Sequence, residues 1–384
     1  MKKRVVVAGS GGIGSAVALM LREIGDLDVD VILGDAIPEN AAKAASFVAD
    51  GSERPGAVEP LLIPTTGTTP ELERALASAD LILDCLPGSQ APRVAGWALQ
   101  HGLHYANLTE YVAETNKIME MAKGAPKGFA LQCGLAPGFV NVLGNALFQA
   151  FCERNGVSEI DSLKMRVGAL PRNAEAPHFY GFTWSPIGVA TEYVKPALVV
   201  RDGVQTTVPS LEEIETLTID GVPFEEATTS GGAADMADAL SGRVQQLDYK
   251  TLRYPGHWKW VRRQLDAIGH VPDRITQLQD RMGSAIPSCN DDMVVIYAAV
   301  EGRDHRGERR RMDEAYRVSP TRIAGKRLKA IQSTTAAGLA ECAAMLLTGD
   351  VKGPLLQSQI DPMPYLRGRY VTLAYGAPLS AMET

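Results

Sequence analysis

Short apolar runs and amphipathic stretches alternate along the first third of the chain. Val5–Ala8 is an apolar run led by β-branched residues. Over Gly12–Ile24, the residues Ile13, Val17, Met20 and Leu21 recur at helical spacing. Val29–Leu33 reads as a second strand, closed by Gly34 and Asp35, and Pro38–Ala49 as a second helix. Further strands are predicted over Pro60–Pro64, Leu81–Cys85, His104–Leu108 and Phe129–Cys133. Helices over Pro70–Ser78, Val94–His101 and Thr115–Lys123 fall between them. This βαβα rhythm predicts an α/β fold, with a parallel sheet covered by helices on both faces.

From Asp161 the texture changes. SLKMRVGAL, PALVVRDG and ETLTIDG read as antiparallel strands with glycine turns, and Met293–Glu301 and Arg311–Val318 flank GRDHRGE as a hairpin. The basic cluster Arg309–Arg311 belongs to that exposed hairpin. Ile331–Leu347 returns to helical spacing with small residues, which suits a helix packing back on the first domain. The expected organisation is therefore a dinucleotide-binding domain over residues 1–140, a second α+β domain with a mixed or antiparallel sheet over 141–330, and a C-terminal helix and tail over 331–384. No repeat or low-complexity segment is evident.

Composition narrows the class. The chain has 384 residues, 45% of them hydrophobic and 22% charged, with a formal net charge of -7. These values suit a globular protein of two or three domains and give no support for a nucleic-acid partner. Cys85, Cys133, Cys152, Cys289 and Cys342 are scattered and form no CxxC pair, so neither a zinc site nor a disulfide framework is expected, and a reducing cytoplasm is the expected location. The longest small-apolar stretch, Thr334 to Leu347, carries Glu341 and is too short to span a bilayer. No signal-peptide pattern is evident, and no membrane partner is expected.

The chemistry begins at RVVVAGSGGIG, Arg4 to Gly14. Gly9, Gly11 and Gly14, with Gly12 and Ile13 among them, stand between a predicted strand and a predicted helix. Glycines so placed allow a tight turn, close approach of backbone to a pyrophosphate, and close helix–strand packing. Asp35 ends the second strand about 20 residues on, where a carboxylate accepts ribose hydroxyls and repels a 2′-phosphate. Ala36 and Ile37 follow, with no arginine to receive that phosphate, so NAD is favoured over NADP. The later strand ends Cys85-Leu86-Pro87 and Asn107-Leu108 are placed along the nicotinamide half of the same cofactor.

Five segments carry a resemblance to a known family: GSGGIG, GLAPG at 134–138, VPSLEEIE at 208–215, TTSGG at 228–232 and YKTLRYPGH at 249–257. Over most of its length the chain resembles the saccharopine dehydrogenase-like family, and within it the L-lysine 6-dehydrogenase branch. The resemblance implies a Rossmann domain joined to an α/β domain with a mixed or antiparallel sheet, and a homodimer or higher homo-oligomer. It also implies hydride transfer between a nicotinamide and a carbon bearing nitrogen, on a small amino-acid or amine substrate. In the lysine reading, the carbon bearing the terminal amine gives hydride to NAD and the imine hydrolyses. In the saccharopine or carboxynorspermidine reading, an imine is reduced to a secondary amine, usually with NADPH. A dinucleotide-binding module without turnover is the third reading. The family pattern places an acidic residue before the GLAPG turn, where this chain has Gln132-Cys133.

Amine oxidation needs a neutral amine, a hydride-bearing carbon set against the nicotinamide, and an anchored amino-acid head. Arg253 is the expected carboxylate clamp, because its planar fork binds bidentately. Lys250 is a second anion contact or a base, and His257 a proton acceptor or relay. Each has a framework alternative, in pairing with acids such as Asp248. Glu110, after the fifth strand, is the other candidate base. Tyr180 and Trp184 are placed as walls for the substrate's aliphatic part, and Thr228 and Thr229 as hydroxyl donors. His178 is read as structural, and His101, His104, His270 and His305 show no ligand spacing, so no metal is expected.

Overall fold

The structure is a computed structural model of the chain, in which residues 2–378 are described. The chain forms two compact units. One contains the residues up to Phe139 together with Thr321–Leu328 and Gln332–Ala377; the other contains Val140–Pro320 with Lys329–Ile331.

The first unit opens with β1 (Lys3–Ala8), α1 (Gly12–Glu23), β2 (Val29–Asp35), α2 (Pro38–Gly51), β3 (Val58–Leu62), α3 (Pro70–Ala77) and β4 (Leu81–Asp84). It continues through α4 (Ala91–His101), β5 (His104–Asn107), α5 (Val112–Met121) and β6 (Gly128–Ala130). Local chemistry sets the helix ends. Pro38 and Pro70 open α2 and α3, where a missing N–H costs nothing. The Thr69 hydroxyl accepts from the Leu72 N–H at 3.2 Å, and Gly102 closes α4 in the left-handed conformation.

The second unit follows from α6 (Phe139–Asn155), whose first residue belongs to the first unit. Its elements are β7 (Ile160–Pro171), α7 (Pro186–Val194), β8 (Ala197–Arg201), β9 (Val204–Val208), β10 (Glu215–Ile219), β11 (Val222–Thr228) and α8 (Met236–Ala239). Then come β12 (Val244–Arg253), α9 (His257–Ile268), α10 (Arg274–Ala285), β13 (Asp292–Arg303) and β14 (Arg309–Val318). The main path of the sheet runs β10-β11-β12-β7-β13-β14, with β8 pairing β12 and β9. It is mixed: β12 and β7 are parallel, with Lys250 opposite Arg166, and the other ladders are antiparallel. The predicted hairpin is β13–β14. Its loop closes when the Asp304 carboxylate accepts the N–H groups of Arg306 and Glu308, each at 2.9 Å.

Side chains alternate across β12. Leu252 packs with Phe224, Leu170 and Val295 on one face of the sheet. On the other, Ala227 joins Trp258, Tyr193 and Tyr180 in a core shared with α7, α9 and α10. The run YKTLRYPGH is thus two elements: the end of β12, then a Pro255-Gly256 break with Gly256 at φ 101°, then the first turn of α9.

The chain returns to the first unit through β15 (Thr321–Ile323), β16 (Lys326–Leu328), α11 (Ala330–Thr348, from Gln332 onward), β17 (Gly353–Leu355), α12 (Pro362–Leu366) and α13 (Arg369–Tyr375). Residues 379–384 of the expected tail lie outside the described residues. The first unit's sheet runs β17-β6-β5-β4-β1-β2-β3, all parallel, with the order reversing between β1 and β4. Both edge strands carry a proline, Pro60 and Pro354, whose missing N–H blunts the edge against further pairing.

Candidate functional site

The turn after β1 is built by close approaches. Gly9 has φ 101°, and a Cβ there would stand 2.7 Å from the Cys85 carbonyl oxygen, so only glycine lets the turn lie against the end of β4. A Cβ on Gly14 would meet the Gly9 carbonyl oxygen at 1.9 Å, which seats α1 on the turn. Gly11 differs: nothing lies within 4 Å of its would-be Cβ. This open side sits at the start of α1, where the first N–H groups of a helix have no intrahelical partner, and it suits a pyrophosphate.

A cavity of about 510 Å³ extends from this turn along α2, lined among others by Gly11, Gly12, Asp35, Lys43, Arg327 and Gln332. Asp35 is held in place there. One carboxylate oxygen accepts from the Ser10 hydroxyl at 2.9 Å, and the other from the Ile37 N–H at 3.0 Å. The turn, the helix start and the fixed carboxylate fit the adenosine and pyrophosphate half of a dinucleotide, at the switch point of a doubly wound sheet. Arg327 and Gln332 reach this cavity from the far end of the chain, and local sequence gave no sign of them.

Beyond the switch point, a hydrogen-bond chain links the carboxyl ends of β4, β5 and β6. Asp84 is buried and accepts from the Leu86 N–H at 3.0 Å and the Tyr105 hydroxyl at 2.9 Å. Burial pushes its carboxyl up to about 7, against the pull of those two donors. Asn107 donates to the Tyr105 oxygen at 3.2 Å and accepts from the Gln132 N–H at 2.8 Å. Gln132 holds φ 64°. Burial pushes the Cys85 thiol far up, so its sulfur stays a protonated, unreactive group. Glu110 is half-buried in the loop between β5 and α5. The GLAPG segment is a closed turn, with the Gly134 N–H donating to the Pro137 carbonyl at 3.0 Å and Leu108 packed against Gly134.

In the second unit, Arg253 is 1% exposed and stands in an aromatic cage. Its guanidinium carbon lies 4.6 Å from the Tyr180 ring centre, 5.6 Å from Tyr193 and 5.7 Å from Trp258. Its Nε donates to the Tyr193 hydroxyl at 2.8 Å, and Nη1 to the Leu252 carbonyl at 2.9 Å. Burial works against the cation, but Tyr193, Tyr180 and Glu192 outweigh it and hold Arg253 charged. The Tyr193 oxygen also lies 3.1 Å from His257 Nε2, and His257 Nδ1 lies 2.7 Å from the His178 carbonyl. A carbonyl only accepts, so Nδ1 carries the proton, Nε2 accepts, and Tyr193 donates to it. The ring stays neutral: burial first, and then the Arg253 charge, push His257 down to about 3. Both ring nitrogens of His257, expected as a proton acceptor or relay, are thus engaged within this unit.

Lys250 points the other way. With Arg166 and Leu252 it lies on the opposite face of the sheet from Arg253. Its ammonium donates to the Glu213 carbonyl at 2.8 Å and the Glu215 carboxylate at 2.9 Å, with Glu226 at 3.5 Å. Arg166 binds Glu226 bidentately, at 2.8 and 3.0 Å, and reaches Asp248 at 2.6 Å; Arg201 joins Asp248 and Glu213 at 3.0 and 2.7 Å. Burial pushes the Asp248 carboxyl up, but these cations prevail and hold it low. The framework alternative for Lys250 is the one the geometry displays.

The remaining candidates divide in the same way. The Thr228 hydroxyl donates to one of two loop carbonyls, Pro209 at 3.2 Å or Glu212 at 3.1 Å, on the Lys250 side. Thr229 shares a 2.7 Å hydrogen bond with Thr251. Trp184 packs over Gly188 in the helical core. Tyr180 is buried in the Arg253 cage. Its hydroxyl and that of Thr183 are neighbours, and neither reaches any other hydrogen-bond partner among the described residues. Sequence reasoning passed over Tyr193, Glu192 and Arg166, none of which lies in a distinctive motif. Among the described residues no group of three or more His, Cys, Asp or Glu side chains is placed to hold a metal ion, and no helix is long and apolar enough to cross a membrane.

Comparison with known proteins agrees with this architecture. Residues 5–130 match the saccharopine dehydrogenase NADP binding domain, and residues 134–367 match the saccharopine dehydrogenase C-terminal domain. The mitochondrial alpha-aminoadipic semialdehyde synthase of Mus musculus is 22% identical over 270 residues, 67% of this chain; the match spans only 27% of that relative's own length. A saccharopine dehydrogenase (L-Glu forming) from Saccharomyces cerevisiae superposes with a TM-score of 0.72 at 16% identity, covering 95% of this chain and 97% of that one. A homospermidine synthase from Legionella pneumophila in complex with NAD gives 0.66 at 12% identity, covering 98% and 90%. At these identities the superpositions speak for the fold. The first unit binds a nicotinamide dinucleotide, and the chain belongs to the saccharopine dehydrogenase family.

Proposed function

We propose that the protein interconverts a secondary amine and its imine on an amino-acid substrate, as a saccharopine-type reductase, with NAD(H) as redox partner. The observation that carries this is the Arg253 cage. A desolvated guanidinium has two of its donors fixed by Tyr193 and Leu252, while Nη2 has no hydrogen bond among the described residues. That leaves a donor edge for a substrate carboxylate. The Tyr180 and Thr183 hydroxyls supply further donors beside it. When bound, the nicotinamide accepts or returns the hydride. His257 holds Tyr193 with its Nε2 and is not the base; that role is assigned to Glu110. Asp35 supports NAD over NADP, although the matched domain takes its name from NADP. A cytoplasmic homo-oligomer without nucleic-acid or membrane partners completes the proposal.

A second reading, oxidation of the terminal amine of L-lysine, is favoured by one observation. Lys250 lies on the far face of the sheet, so the cage offers one cationic clamp, enough for one carboxylate. Assaying NADH formation with saccharopine and with L-lysine, and NADH or NADPH consumption with glutamate plus aminoadipic semialdehyde, separates the two. Turnover only with L-lysine selects the second reading, and no turnover with any of these in either direction sinks both.

A further inference from the structure

The geometry points to Gln132 as the residue that reads the nicotinamide carboxamide. Gln132 stands just past the carboxyl end of β6, on the side of the switch point away from Asp35, where the nicotinamide half of a dinucleotide lies. It is 4% exposed, and its side-chain amide makes no hydrogen bond among the described residues. With no protein partner, the amide keeps its acceptor and both of its donors for a ligand. Its backbone is also unusual: φ 64° is disfavoured for a residue with a Cβ.

The surroundings hold that conformation in place. The Gln132 N–H donates to Asn107 Oδ1 at 2.8 Å, and the Cys133 N–H to the Asn107 carbonyl at 2.8 Å. Asn107 is in turn fixed by Tyr105, and Tyr105 by Asp84. Non-glycine residues kept in this region by over-determined contacts cluster where ligands are held. The ligand chemistry follows from the group: a primary amide presents one acceptor and two donors in a plane, the complement of another primary amide. A glutamine at this position thus serves as a neutral contact to the cofactor. Asn107, Tyr105 and Asp84 act through it as positioning residues.

The inference needs only the dinucleotide site and is independent of the substrate assignment. The test is calorimetric titration of the full chain with NADH and with ADP-ribose, which lacks the nicotinamide. Gln132→Gly removes the amide while relieving the left-handed backbone, and Gln132→Asn tolerates that backbone but carries its amide one methylene short. Both variants are expected to weaken NADH binding about tenfold, with ADP-ribose affinity unchanged within about twofold. Equal losses for the two ligands would show that Gln132 serves only the shape of the turn. Unchanged NADH affinity in both variants would show that its amide meets no cofactor. Either result overturns the inference.

Discussion

Lys250 and Arg253 stand on one strand and on opposite faces of its sheet, each buried and each charged, with no partner in common. They are therefore separable by mutation. Lys250→Met takes the ammonium from the Glu215 carboxylate and the Glu213 carbonyl, while the buried Glu226 keeps its bidentate pair with Arg166. Stability should fall by about 1–2 kcal/mol, the cost of charge-assisted hydrogen bonds rather than of an orphaned buried charge, with little change in KM. Arg253→Lys keeps the charge but loses the fork, and should raise KM at least about tenfold. Urea denaturation and steady-state kinetics on both variants check the pair; a KM effect of Lys250→Met as large as that of Arg253→Lys would contradict the separation.

Tyr193 is the link between Arg253 and His257, accepting from one and donating to the other. Tyr193→Phe leaves both without that partner in a buried setting, and should cost about 2 kcal/mol. Because one hydroxyl serves both, the costs of Tyr193→Phe and His257→Phe should not add. A double-mutant cycle by chemical denaturation should return a coupling of about 1 kcal/mol; strict additivity would mean that the three groups do not act as a chain.

His257 makes acid stability a test of the same cluster. Its folded value, about 3, lies below the ordinary 6.5, chiefly through burial and then through Arg253. Below pH 6.5 the unfolded chain takes up a proton that the folded chain refuses. The contribution is thus complete above pH 6.5 and is lost at about 1.4 kcal/mol per pH unit as pH falls toward 3. His257→Asn removes this dependence. Compared by urea midpoint, the wild type should be more stable at pH 7.5, and the gap should narrow steadily toward pH 5. A constant gap would mean that His257 is not held neutral.

These clusters show what sequence conveys and where it stops. The β1–α1–β2 start, with Gly9, Gly14 and Asp35, was legible because every determinant is local: strand, turn, helix and carboxylate follow within one unit of chain. YKTLRYPGH drew attention through its charges, but linear proximity hid a period of two that sends Lys250 and Arg253 apart. His257 looked like a titrating group until the His178 carbonyl and the Tyr193 hydroxyl fixed its tautomer. Those partners come from two other segments of the chain, and no spacing rule points to them. Arg327 and Gln332 reach the cavity beside Asp35 only because the chain returns to its first unit near its end.

Asp84 supplies the clearest pH signature of the first unit. Its carboxyl is buried at the end of β4 and rises from 3.8 to about 7, burial outweighing the donors from Leu86 and Tyr105. The sign is opposite to that of His257: the folded state holds a proton that the unfolded state has released. Stability from this site is greatest below pH 3.8, falls as pH rises through the window up to 7, and above it carries the full cost of a buried charge, roughly 4 kcal/mol. Asparagine fits the same contacts. Its oxygen accepts the Leu86 N–H, its amide donates to the Tyr105 oxygen, and the Tyr105 proton turns to the Ala91 carbonyl, now at 3.3 Å. Asp84→Asn should therefore match the wild type near pH 4 and exceed it by about 2–4 kcal/mol at pH 8, read from urea midpoints at both values. If the two proteins differ by the same amount at pH 4 and pH 8, Asp84 is ionised in the folded state throughout that range, and the buried neutral acid is ruled out.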